Sequence, residues 1–179
     1  MSELNRLILH QLAGIKQYYA KVAPRMDGLP MCHPGLEIKV QVDGWCPFAT
    51  VDDLQGRGLL AGVITPWCIN ALLLPLVWPL SWPKRTGGEI ELQLPAGRFV
   101  MLVNEGGFLS LSLLSEPRQL ADQQAAEAFL QEALRLLKTP DTEQVAAADN
   151  TAASTTAPGG GLQAMLDKPV SRRGILGGS

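Results

Sequence analysis

Glu89 and Glu91 stand two residues apart in the run Glu-Ile-Glu-Leu-Gln-Leu, so a strand would place both carboxylates on one face. Paired acids do general acid–base work when burial drives their proton affinities apart. Here each acid alternates with an apolar residue, which turns the pair towards water and favours a solvated strand face over a catalytic one. An exposed acidic pair can receive the planar fork of an arginine, and such a surface suits a ligand carrying two adjacent arginines. Glu105 lies in Asn-Glu-Gly-Gly, a turn sequence between two apolar runs. The other reactive side chains form no constellation. Cys32 adjoins His33, yet adjacent residues on a strand point to opposite faces, so a structural or incidental role is favoured over a thiol with its base. Cys32, Cys46 and Cys68 are widely spaced and contain no C-x-x-C pair, leaving zinc, iron–sulfur and disulfide frameworks poorly supported. No Ser-His-Asp pattern, G-x-S-x-G, G-x-G-x-x-G after a strand or phosphate-binding loop is present, so neither catalysis nor a cofactor is expected.

Arginines that could meet such acids occur in the chain itself. Residues 171–179 read Ser-Arg-Arg-Gly-Ile-Leu-Gly-Gly-Ser, which looks like the core of a twin-arginine export signal placed at the wrong end. A working signal needs an apolar segment of roughly 7–15 residues and a cleavage site, and the run after Arg172 and Arg173 is too short and too rich in glycine to supply them. The tail is either a solvated basic end or an imitation of a signal.

Residues 58–83 carry no charge, and that length would cross a bilayer if helical. Pro66, Pro75, Pro79 and Pro83 cut it into short pieces, so no membrane insertion is expected. The run reads instead as a buried strand over residues 59–65, a short helix starting near Pro66 with Thr65 as its cap, and a proline-punctuated loop. Trp67 is expected in the core. Trp78, Leu80 and Trp82, in the loop, are candidates for an apolar docking surface. Lys and Arg number 15 against 17 Asp and Glu, which lacks the basic excess that phosphate backbones require, so nucleic acid is an unsuitable partner. With no leader and reduced-looking cysteines, the cytoplasm is the expected compartment.

Periodicity defines the elements that must position these residues. Leu4, Ile8, Leu12, Ile15, Tyr19 and Val22 recur at helical spacing, giving an amphipathic helix that ends before Pro24. Ile38, Val40 and Val42 alternate with polar residues, as do Ile90, Leu92 and Leu94. Residues 99–103 and 108–114 read as two strands joined by a turn, a hairpin. A second helix runs from about residue 120 to 138 and stops at Thr139-Pro140. The fold class is α+β: an antiparallel sheet of about five strands packed against an N-terminal and a C-terminal helix. Residues 1–140 make the folded domain; residues 141–161, rich in Ala, Thr and Gly, make a disordered linker; residues 162–179 make a tail with the twin-arginine-like motif.

Gly62-Val-Ile-Thr-Pro-Trp67, Leu73-Leu74-Pro75, Trp78-Pro79-Leu80, Leu94-Pro95-Ala96-Gly97 and Ser-Leu-Leu-Ser at 112–115 occur in an order and spacing that resembles the HybE/HupJ/HoxT-type NiFe-hydrogenase assembly chaperones. The resemblance runs from about Tyr18 to Lys138 and returns at the tail. In the hairpin, the chain lacks the cysteine that the family's pattern carries there. The resemblance implies a non-enzymatic cytoplasmic escort of a membrane-bound or exported NiFe-hydrogenase. Its expected partner is the small-subunit precursor, whose twin-arginine signal would be covered until assembly is complete. Arginines would go to Glu89, Glu91 and Glu105, and the apolar run to Trp78 and Trp82. The large subunit and other maturation factors are further candidate partners. Two other functions stay open: a scaffold that binds a hydrogenase subunit or maturation factor without reading the signal, and a small enzyme using Cys68 or the Glu89/Glu91 pair.

Overall fold

The computed structural model describes residues 2–52, 54–79 and 82–142. Most of the expected linker, and the tail with Arg172 and Arg173, lie outside the described residues. Two helices, α1 (Glu3–Met26) and α2 (Gln123–Lys138), flank six strands: β1 (Lys39–Thr50), β2 (Gln55–Ile64), β3 (Ile69–Pro75), β4 (Glu89–Leu94), β5 (Gly97–Asn104) and β6 (Phe108–Leu114). All pairings are antiparallel, and the order β1-β2-β3-β6-β5-β4 closes into a barrel. The α+β class with a helix at each end therefore stands, with six strands and a closed sheet.

The extra strand is β3, where a short helix from Pro66 was expected. Its sequence, Ile-Asn-Ala-Leu-Leu-Leu-Pro, is buried on both faces and so shows no alternation to read. Thr65 caps a turn rather than a helix. Its hydroxyl accepts the Trp67 and Cys68 amides at 3.3 and 2.9 Å, and its own amide donates to the Cys68 carbonyl at 2.9 Å. That turn sends the chain straight back as β3, in register from Ile64↔Ile69 to Gly58↔Pro75.

Strand alternation sorts the apolar residues into two layers. Leu60, Ile64, Leu73, Leu92, Met101 and Leu109 belong to an inner cluster that α2 joins through Ala126, Leu130, Leu134 and Leu137. Gly62 makes room for this helix: a Cβ there would sit 2.3 Å from Leu130 Cδ1. The outer residues Leu59, Ala61, Val63, Leu72 and Leu74 pack with Ile15 and Tyr19 of α1. In β1 a bulge between Val42 and Gly44 exchanges the faces, so Val40 lies with the outer cluster while Cys46 and Phe48 lie with the inner one.

Capping and ion pairs fix the helices. The Ser2 hydroxyl accepts the Asn5 amide at 3.3 Å, and Asp122 Oδ1 accepts the Ala125 amide at 2.8 Å. α1 continues past Pro24 to Met26, beyond the expected stop, because proline in a last turn removes only one terminal bond. α2 lies across one mouth of the barrel. Lys39 pairs with Glu127 at 2.7 Å and Lys138 with Asp43 at 2.6 Å, while the Ala96 amide in the β4–β5 turn donates to the Leu137 carbonyl at 3.3 Å.

Candidate functional site

Glu89 and Glu91 project from the outer side of β4, opposite Leu102 and Val100 of β5 in the register Glu89↔Leu102 and Glu91↔Val100. Their inward neighbours Ile90, Leu92 and Leu94 are buried, which fixes the outward direction of the acids. Val100 and Leu102 are 52% and 45% exposed. The hairpin thus presents two carboxylates beside two aliphatic side chains, with cross-strand Cβ atoms about 5 Å apart. Glu91 already holds an arginine loosely: Arg98 Nη1 lies 3.7 Å from its Oε1, with both side chains largely solvated. A pair so exposed is worth about 0.2–1 kcal/mol, so an incoming arginine could replace it.

Glu105 does not join this pair. It sits beyond Asn104 at the β5–β6 turn and lines a groove of about 240 Å³ with His10, Tyr18 and Lys21 of α1. Trp78 and Trp82 form the other mouth of the barrel. Their rings meet edge to face at 5.2 Å, and Trp82 packs on Phe48 at 5.6 Å. Trp82 is 6% exposed and Trp78 is half-buried, so the pair seals the inner core instead of making an exposed docking surface. Leu80 lies outside the described residues; among the described residues of that loop the exposed apolar ones are Leu76 and Val77, which the sequence pattern does not single out. Charge-free stretches bordered by proline give no means of ranking tryptophan against its smaller neighbours.

Cys32 and His33 border a cavity of about 450 Å³ between the end of α1 and Pro66-Trp67. His33 is held on both nitrogens: Nδ1 accepts the Gly35 amide at 2.9 Å, and Nε2 lies 2.9 Å from the Leu120 carbonyl, where it donates. The Cys32 thiol donates to the Met26 carbonyl at 2.9 Å, so the two side chains are not a nucleophile and its base. Burial pushes the Cys46 thiol up to about 11 and also raises Cys68. Both resist forming the thiolate that nucleophilic chemistry needs. Among the described residues, no three His, Cys, Asp or Glu side chains are grouped to hold a metal ion, and no helix is long and apolar enough to cross a membrane.

The hairpin sets acids and aliphatics side by side on an exposed face, a surface chemistry suited to another polypeptide. The family described as NiFe-hydrogenase assembly, chaperone, HybE matches residues 10–178. The hydrogenase expression/formation protein HupT of Azotobacter chroococcum mcd 1 is 34% identical over 134 residues, covering 72% of this chain and 83% of the relative. HoxT of Azotobacter vinelandii, a protein of the same description, is 31% identical over 134 residues, covering 72% and 80%. The solution structure of HybE from Escherichia coli shares the fold, with a TM-score of 0.51, 23% identity and coverage of 94% of this chain and 90% of that one. The chain belongs to the HybE family of NiFe-hydrogenase assembly chaperones, and is a chaperone rather than an enzyme.

Proposed function

We propose that this chaperone binds the small-subunit precursor of a membrane-bound or exported NiFe-hydrogenase in the cytoplasm, taking the twin-arginine region of its signal on the outer face of β4 and β5. The observation that supports this is the pairing of Glu89 with Leu102 and Glu91 with Val100 on an exposed face. A twin-arginine signal carries the complementary order, two arginines and then an apolar run. The carboxylates receive the guanidinium forks, and the aliphatic pair, with Leu76 and Val77 as a second exposed patch, receives apolar side chains. Covering the signal delays export until the subunit is complete.

Calorimetry with the precursor, the signal-less subunit and the E89Q/E91Q protein tests the proposal. The precursor binds more tightly than the signal-less subunit, and removing each carboxylate costs about 0.2–1 kcal/mol of that difference. Equal binding by precursor and signal-less subunit would leave the protein as a scaffold for the mature subunit, with the large subunit or another maturation factor as its further partners.

A further inference from the structure

We propose that the face formed by Glu89, Glu91, Val100 and Leu102 is occupied, in the free chaperone, by residues 171–179 of the same chain. The inference rests on the reading that this face accepts an arginine pair and the aliphatic side chains after it. It adds the identity of a second occupant, carried in cis.

Three observations select that segment. The first is composition: Arg172 and Arg173 precede Ile175 and Leu176, an order of cations and aliphatics that matches the acids and aliphatics across the hairpin. The second is where the described chain leaves the fold. After α2 it runs along the foot of this hairpin: the Leu137 carbonyl accepts the Ala96 amide at 3.3 Å, and Asp141 Oδ2 lies 3.8 Å from the position a Cβ would take on Gly97. Val100 and Leu102 stand three and five residues up the same strand, about 10 and 17 Å from that point at 3.3 Å per residue. The third is length: roughly thirty residues separate Thr142 from Arg172, and a random coil of that many residues would span about 30 Å. The tail reaches the face with slack to spare.

A tether of this length supplies an effective concentration on the order of a millimolar. A tail with an intrinsic dissociation constant of about 100 µM then fills the face about nine-tenths of the time, and a precursor must displace it at about a tenfold cost in apparent affinity. The tail thereby keeps an acidic, aliphatic face from capturing weaker arginine-bearing segments.

Two measurements on the full-length chain test this. In amide NMR spectra, the wild type and the R172A/R173A protein differ at Glu89, Glu91, Val100 and Leu102, and the same comparison in an E89Q/E91Q background shows a smaller difference. The differences persist on dilution. Their loss on dilution would mean docking on a second copy and overturn the proposal, as would differences centred on the Glu105 groove or none at all. In calorimetry with the precursor, R172A/R173A binds severalfold more tightly than wild type; unchanged or weaker binding would overturn competition by the tail. If the NMR differences appear while the precursor and the signal-less subunit bind alike, tail docking stands and it is the signal-binding reading that fails.

Discussion

One row of residues crosses the outside of the barrel, bare at Val42, covered over β2, β3 and β6, and bare again on β5 and β4. Val42, Ala61, Leu72, Ser110, Leu102 and Glu89 are successive register partners from β1 through β2, β3, β6 and β5 to β4. Leu72 is fully buried among α1 partners, whereas Leu102, two strands on, is 45% exposed. Ser110 stands between them, its hydroxyl accepting the Asn104 side-chain amide at 2.8 Å. The same residue type on the same face of one sheet is core on one side and surface on the other. What differs is whether a helix lies over it. The β2–β3 side spends its apolar residues on folding, while the β4–β5 side leaves a smaller set exposed beside carboxylates.

The contrast breaks most visibly where the covered side is cut. Trp67, 8% exposed in the α1 cluster, should cost about 3–5 kcal/mol on replacement by alanine, read by chemical denaturation. Unchanged stability with lost precursor binding would make it a contact residue instead. A matched pair of truncations sharpens the contrast. Leu72→Ala should cost about 2–5 kcal/mol and Leu102→Ala no more than about 0.5 kcal/mol, with the second alone weakening precursor binding. Comparable destabilisation by both would show that the β4–β5 face is part of the core.

Much of this division is visible in the residues. Glu89 to Leu94 alternates cleanly because one side of β4 is packed and the other wet, and the outward glutamates are a direct result. Two features defeat such reading. The bulge at Val42/Gly44 switches the inward set of β1, so a strand read as residues 38–42 runs on to Thr50 with its periodicity inverted. β3 carries packing on both faces and loses its period altogether. Trp82 could not be told from an exposed loop residue because its partner Phe48 lies far away in sequence. The separation of Glu105 from Glu89 and Glu91 follows from the β4–β5 register, which pairs Glu89 with Leu102 and leaves Glu105 past the end of β5, and alternation alone does not give that register.

Smaller effects come from the helix that closes the barrel. Hydrogen bonds from Lys39 and Gln123 hold the Glu127 carboxyl below its ordinary range, and those from Arg135 do the same for Glu132. A carboxyl lowered on folding stabilises the native state above its unfolded pKa of about 4.3, and that contribution fades as pH falls through the lower folded value. Thermal melts from about pH 7 down to about pH 3 should therefore show a slight loss beginning near the unfolded value, and E127Q should reduce it. An identical acid profile for E127Q would mean that Glu127 contributes nothing to that loss.

β1 and β4 meet in register only at Ala49↔Gln93 and Thr50↔Leu92, where the other seams run longer. A closed ring opens first at its shortest join, because separation there sacrifices the fewest hydrogen bonds. The amide hydrogen of Gln93 should exchange with solvent sooner than those of Leu60 or Leu73. That opening lies on β4 itself, the strand that bears the two glutamates. The chaperone's acidic strand is thus the one best able to shift without unfolding the rest, giving the face a freedom of adjustment that the α1 side does not share.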